Sequence, residues 1–244
     1  MIQTMHQEIG EKPPVILALE TAGTCGSVAL IGEERCLAEY SLNTKTTHSR
    51  RLLANVDWLL KETQCDWAQL DAIAVSLGPG SFTGLRIGLA TAKGLSFATG
   101  KPLIGVPTLE GIARQFPFAC QPVCAVVDAR KSEVYAAQYR WNRNGELEQT
   151  GESRVLAPEK LAGQISEPTI LAGDAVPIYG ELFRERLRNN ALLAPAETCF
   201  ARASAIGLAA LARVRYRIFS DPASIVPIYV RASDAELQLG RKMR

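Results

Sequence analysis

The sequence predicts an α/β protein of two lobes built from a repeated mixed-sheet unit. Three observations predict it. The chain has 244 residues, enough for two lobes of roughly 110–130 residues each. Short apolar runs of strand character alternate with segments of helical period. A strand–turn–strand unit whose first strand is apolar and ends in an acid occurs twice, at Val15–Glu20 with Gly26–Ile31 and at Val123–Asp128 with Glu133–Tyr139. Pattern alone serves two unrelated hairpins as well as a duplication. The expected organisation is a polar extension over 1–12, an N-terminal lobe over 13–113 and a C-terminal lobe over 114–244. The C-terminal segment is free to pack back on the first lobe.

The elements follow in order. Val15–Glu20 is strongly apolar and reads as a central strand; Thr21–Cys25 turns around Gly23, Gly26–Ile31 returns, and Arg35–Tyr40 adds a third strand. Thr46, Thr47 and Ser49 offer cap oxygens to a helix whose Leu52, Leu53, Val56, Leu59 and Leu60 form an apolar stripe. Asp71–Leu77 is a buried strand ended by Gly78-Pro79-Gly80, with a helix from about Leu85 to Ala98 beyond it. Pro102–Val106 reads as a strand, and Thr108 caps a helix through Ala113. Trp141–Gly163 is polar and poorly periodic, Thr169–Leu171 is a strand entering Ala172-Gly173-Asp174, and a helix runs from about Phe200 to Val214. Pro222 and Pro227 lead into an extended Ile228-Tyr229-Val230.

Composition narrows the function. Apolar residues make up 47% and charged residues 21%, with 27 basic against 25 acidic side chains and net charge +2. That balance argues against a dedicated nucleic-acid binder, though not against a local basic patch. Val15–Leu19 is too short for a secretion signal or a spanning helix, so a cytoplasmic protein without membrane contact is expected. The six cysteines are scattered; the close pair Cys120 and Cys124 has no second pair to complete a metal site. Only His6 and His48 are histidines, and no H-x-x-x-H pair or G-x-S-x-G elbow occurs. Neither a metal nor a catalytic residue is expected.

The most distinctive segment is Gly78-Pro79-Gly80-Ser81-Phe82-Thr83-Gly84-Leu85-Arg86-Ile87-Gly88. A glycine-rich turn from strand to helix can hold an anion on backbone N–H groups. Taken alone, it reads first as a tight strand-to-helix turn capped by Ser81 or Thr83. It is not a Walker loop, because Leu85-Arg86 follows Gly84, nor a dinucleotide fingerprint, because Thr83 stands where the third glycine belongs. Gly84, Gly88 and Ala92, with Thr91 nearby, form a small-residue stripe that lets another helix approach closely. Glycine inside a helix costs about 1 kcal/mol relative to alanine, so Gly88 and Gly94 need a packing reason. Asp128 beside Arg130 reads as a structural ion pair in preference to a metal–nucleotide ligand. Arg184, Arg186 and Arg188, like Arg213, Arg215 and Arg217, read chiefly as solvated faces, with RNA phosphate contact the lesser reading.

The runs ILALETAGTCGSVAL, HSRRLLANVDWLL, LDAIAVSLGPGSFTGLRIGLATAKGL, GVPTLEGIA, VDARKSEVYAAQY and PIYVR resemble the bacterial TsaB (YeaZ) family. The match is good over residues 15–139 and looser beyond, and GPGSFTGLRIG is its most specific part. The resemblance implies an actin/hexokinase/heat-shock-chaperone fold and a role in threonylcarbamoylation of the adenosine beside the tRNA anticodon. It implies a catalytic paralogue, TsaD, that carries the helix H-x-x-x-H metal motif absent here. It further implies TsaE, a small ATPase, as a partner of the assembled complex, a homodimer when the chain is alone, and tRNA contacted indirectly. The contact surface it implies maps onto Leu52, Leu53, Val56, Leu59 and Leu60 of the first helix and Gly84, Gly88, Thr91, Ala92 and Leu95 of the second. Glu20-Thr21 stands where the first phosphate hairpin of the fold carries its acid, and Asp128–Arg130 lacks the glycine of the second. The expectation is a non-catalytic subunit without a cofactor of its own, any nucleotide being held only at the assembled interface. The alternative is an ATP-dependent phosphotransferase of the same superfold.

Overall fold

The computed structural model describes residues 13–32, 35–43 and 51–230. The 1–12 extension, both histidines and the cap oxygens at 46, 47 and 49 lie outside the described residues. The first sheet joins β1 (Ile16–Glu20), β2 (Cys25–Gly32), β3 (Arg35–Asn43), β4 (Ala72–Ser76) and β5 (Leu103–Val106) in the order β3-β2-β1-β4-β5. β1 pairs antiparallel with β2 and parallel with β4, which pairs parallel with β5. β1 is buried along its whole length, as a central strand covered on both faces must be.

The second sheet repeats this plan. β6 (Val123–Arg130) pairs antiparallel with β7 (Glu133–Trp141) and parallel with β10 (Thr169–Ala172), which pairs parallel with β11 (Ala191–Leu193). Two short strands, β8 (Leu147–Gln149) and β9 (Arg154–Leu156), pair with β7 where β3 pairs with β2. The two hairpins therefore belong to one duplicated lobe, and the chain has the two-lobed α/β fold that the repeat predicts. The stretch read as poorly periodic holds β8, β9 and the short helix α4 (Pro158–Ala162).

Alternation along β1 sorts the first lobe into layers. Leu17 and Leu19 face a core closed by α1 (Leu52–Glu62) and α2 (Phe82–Thr99), whereas Ile16 and Ala18 face a core closed by α6 (Ala203–Arg215). α3 (Thr108–Ala113) precedes the second sheet and α6 follows it, yet each packs on the other lobe: Leu109, Ile112 and Ala113 enter the second-lobe core. α5 (Val176–Leu187) buries Val176, Phe183 and Leu187 there too.

The crossing helices are tied at their starts. Thr108, the first residue of α3 and not its cap, accepts a bond from Gly78 N at 3.1 Å through Oγ1, and its own N–H donates to the Gly78 carbonyl at 2.8 Å. α6 has no cap from Arg202; its Ala203 and Ser204 N–H groups donate to Ser27 Oγ (2.9 Å) and Glu39 Oε1 (3.0 Å) of the first sheet. After α6 the chain follows β5, with Ser220 bridging Leu103, and Ile228 N donates to the Leu77 carbonyl at 2.7 Å.

Candidate functional site

The glycine-rich loop and the β1–β2 turn form one unit. Ser81 caps α2 by accepting from Gly84 N, so the helix begins at Phe82, a turn before the expected Leu85. Ser81 N in turn donates to the Ala22 carbonyl at 2.6 Å. A Cβ on Gly84 would lie 2.0 Å from the Thr21 carbonyl oxygen, one on Gly88 2.2 Å from Thr21 Oγ1, and one on Gly80 2.5 Å from the Ala22 carbonyl oxygen. The glycines thus let the helix start press onto the turn, and Thr21 Oγ1 donates to the Gly84 carbonyl at 2.8 Å. The small-residue stripe packs inside this chain, on its own Thr21. At the far side of the loop, Tyr229 accepts from Arg86 Nε at 3.2 Å and its ring lies 5.5 Å from that of Phe82, over which the Arg86 guanidinium sits at 3.8 Å.

Under that lid Glu20 is fully buried. One carboxylate oxygen accepts the Ala22 N–H; the other has no partner among the described residues. Burial pushes its pKa up to about 7, and the nearby Asp174 charge adds to the rise while the Ala22 N–H opposes it. Asp174, which follows β10, is itself raised to about 6, chiefly by burial, and accepts from Asp128 N at 2.9 Å. Asp128 Oδ1 accepts the Arg130 N–H at 3.0 Å and its Oδ2 meets the Arg130 guanidinium at 3.2 Å, the ion pair read from the sequence. In both hairpins a turn N–H donates to the chain's own acid. The cleft between the lobes is lined by Gly23, Cys25, Thr108, Asp174 and Cys199. No group of His, Cys, Asp and Glu among the described residues has the geometry of a metal site.

The contact surface mapped from the resemblance needs correction. Leu52, Val56, Leu59 and Leu60 point into the first-lobe core, and Gly84, Gly88 and Ala92 are buried against the sheet and the Glu20–Ala22 turn. Thr91 and Leu95 are half-buried, and only Leu53 is exposed. A stripe at helical spacing marks the face a helix buries, and here that face is turned to its own sheet. The outward surface of the same two helices carries Leu53 (56% exposed), Trp58 (49%), Ala90, Gly94 and Phe97 (92%). Nothing lies within 4 Å of a Cβ built on Gly94, so its glycine has no internal packing reason. Neither Trp58 nor Phe97 was singled out in the sequence, since both fall off the apolar stripe.

The basic clusters separate as well. Arg184 pairs with Glu181 on α5, whereas Arg213 is held at 2.7 Å by Glu110 of α3. No helix among the described residues is long and apolar enough to cross a membrane.

The family model for TsaD, tRNA N6-adenosine threonylcarbamoyltransferase, matches residues 36–239. The chain is 31% identical to the tRNA threonylcarbamoyladenosine biosynthesis protein TsaB of Bacillus subtilis, over 91% of this chain and 96% of that one. It is 34% identical to TsaB of Escherichia coli, over 74% and 81% respectively. Among solved structures, YeaZ from Pseudomonas aeruginosa superposes with a TM-score of 0.73 at 31% identity, covering 88% of this chain and 99% of that one.

Proposed function

The chain belongs to the TsaB/YeaZ family and to tRNA threonylcarbamoyladenosine biosynthesis, and we propose that it serves there as a non-catalytic subunit that docks a TsaD-like catalytic paralogue. The observation that carries this reading is the outward surface of α2, where Phe97 is 92% exposed and Gly94 has nothing packed on it, with Leu53 exposed on α1. A large exposed apolar side chain one turn from a glycine, where a second helix can come close, suits a helix-to-helix interface. When the chain is alone the same face serves a homodimer, because a twofold contact uses one patch twice. A TsaE-like ATPase joins the assembled complex, and tRNA is reached through it.

We further infer that the chain holds no nucleotide of its own. In support, the first turn is sealed under the glycine loop, and Glu20 and Asp128 already take the turn N–H groups. Neither hairpin fits the phosphates of a nucleotide. Calorimetric titration of the isolated chain with Mg-ATP tests this, and micromolar binding with turnover would move the phosphotransferase reading to the front.

The docking reading is tested by co-expressing the chain with its TsaD-like paralogue and measuring elution and tRNA modification with each protein omitted. Phe97→Asp and Gly94→Arg are expected to release the paralogue while the monomer melts within about 3 °C of the parent, as surface changes do. Continued co-elution of both variants overturns the assignment of this face. Gly88→Arg, by contrast, would strike Thr21 and report on folding.

A further inference from the structure

Beyond α6 the chain returns to the first lobe and reaches the start of α2. It is held at two places. At the near end, Ser220 N donates to the Leu103 carbonyl at 2.8 Å and Ser220 Oγ accepts from Gly105 N at 3.1 Å, on the outer edge of β5. At the far end, Ile228 N donates to the Leu77 carbonyl at 2.7 Å, and the Ile228 carbonyl oxygen lies 3.0 Å from a Cβ built on Gly78. Between these holds, residues 221–224 make an exposed turn in which the Asp221 carboxylate accepts from Ala223 N and Ser224 Oγ. Ile225 then packs on the first-lobe core.

The far end also grips side chains. Tyr229, Phe82 and Arg86 form a triangle in which each touches the other two. The rings lie 5.5 Å apart, the guanidinium sits 3.8 Å over the Phe82 ring, and Arg86 Nε donates to the Tyr229 hydroxyl at 3.2 Å. Phe82 is 39% exposed and Tyr229 42%, so the triangle adds little to the core. What it fixes is direction. Phe82 and Arg86 begin a line of exposed α2 residues spaced by four, which Ala90 and Gly94 continue toward Phe97. A free arginine in that line would lose rotamer freedom on association, whereas one already stacked and bonded has lost it beforehand.

We propose that Ser220–Tyr229 is a strap that positions the docking face: through Tyr229 it sets Phe82 and Arg86 in the conformation that the catalytic paralogue meets. Tyr229 is a positioning residue, acting on the partner through Arg86, 143 residues earlier in the chain. The strap's contribution to folding sits elsewhere, in Ile225 on the core, so the two roles separate by substitution. The inference rests on the reading of the outward α2 surface as the docking face, and it makes that face depend on the C-terminal segment.

The test measures the affinity of the full chain for its TsaD-like paralogue by calorimetry, with the melting temperature and amide exchange of the chain alone. Tyr229→Ala is expected to weaken binding about fivefold, the effect of one side chain left to be ordered on association, while melting within about 3 °C of the parent. Tyr229→Phe keeps the ring and is expected to recover affinity to within about twofold of the parent. The losses from Tyr229→Ala and Arg86→Ala are expected not to add in the double variant, since one residue acts through the other. Ile225→Ala is expected to lower the melting temperature and to leave affinity, measured below the transition, unchanged. Parental affinity in Tyr229→Ala overturns the proposal, as do additive losses with Arg86→Ala. Affinity that falls in step with melting temperature in both Tyr229→Ala and Ile225→Ala overturns it too, the strap then serving the fold alone. If the parent does not bind the paralogue, the docking reading falls and exchange of the Leu85–Leu89 amides decides the strap. Faster exchange in Tyr229→Ala upholds it, and parental exchange overturns it.

Discussion

The two β-hairpin turns occupy the same place in the duplicated lobe and begin from the same chemistry, yet they end in opposite environments. Each follows a buried central strand, and in each the closing acid accepts an N–H two residues on, Ala22 for Glu20 and Arg130 for Asp128. In the first lobe the turn is a packing surface: α2 rests on Thr21, and Glu20 lies fully buried. In the second lobe the turn faces water. Arg130, Lys131 and Ser132 run through the left-handed region at φ 63°, 53° and 57°, and Asp128 is half-buried with Arg130 for a counter-ion. A duplicated acid therefore diverged through what packs over it. The first turn is sensitive to every added atom, and the second should tolerate substitution.

The largest expected effect comes from breaking the first turn. Gly84→Ala places a methyl 2.0 Å from the Thr21 carbonyl oxygen, which is backbone and cannot swing away. A loss of about 3 kcal/mol or more is expected in urea denaturation. Gly88→Ala meets the Thr21 hydroxyl at 2.2 Å instead. It should cost less, and much of that cost should vanish in a Thr21→Ala background, a coupling that a double-mutant cycle measures. Equal costs in the two backgrounds would show that the stripe does not rest on Thr21.

Next in size is the charge on Glu20. Its carboxyl, raised from 4.5 to about 7, binds its proton more tightly in the folded chain than in the unfolded one. Stability from this group is complete below about pH 4.5 and declines as pH rises toward 7, by an amount of at most about 3 kcal/mol. Asp174, raised to about 6, adds a decline of the same sign over a lower window. Glu20→Gln keeps an acceptor for Ala22 and removes the ionisation. It is expected to match the parent near pH 4.5 and to exceed it by about 1–3 kcal/mol at pH 8. Parallel stability curves for variant and parent across that range would show that Glu20 titrates like an exposed carboxyl.

Much of this contrast was legible in the sequence, and the rest fails for identifiable reasons. The duplicated strand–turn–strand unit and the strand endings at Glu20 and Asp128 announced the lobes, because a period of two and an acid at a strand end are local signals. The glycines at 84 and 88 rightly signalled close approach, but their partner is Thr21, 63 residues before Gly84, which spacing cannot name. Helical periodicity located α1 and α2, yet a stripe shows which residues share a face and not what that face meets. Leu52, Val56 and Leu59 went inward for that reason, and Trp58 and Phe97 were passed over. α5 was missed because its inward residues, Val176, Gly180, Phe183 and Leu187, are sparse among charged neighbours and interrupted by Pro177.

A moderate effect is expected where the lobes exchange helices. α6 takes its cap from the other lobe, with Ser27 Oγ accepting from Ala203 N and the Glu39 carboxylate from Ser204 N. Ser27→Ala should cost about 1 kcal/mol, as the loss of a buried cap does, and Glu39→Gln about 0.5 kcal/mol through the weakened interaction with the helix dipole. Added salt should shrink the second effect and leave the first, since only the second depends on charge. A salt-independent Glu39→Gln cost would mean that the carboxylate acts there through shape alone.

The smallest effect should come from the second turn. Arg130 reaches Asp128 at 3.2 Å, but its side chain is 80% exposed, so water and salt screen the pair. Arg130→Ala is expected to change stability by less than about 0.5 kcal/mol, the usual worth of an exposed ion pair. The N–H that Asp128 accepts belongs to the backbone of residue 130 and survives the substitution. A cost several times larger, measured beside Glu20→Gln, would mean that the second turn relies on its counter-ion as much as the first relies on burial. The difference between the lobes would then lie in pairing and not in what packs over the acid.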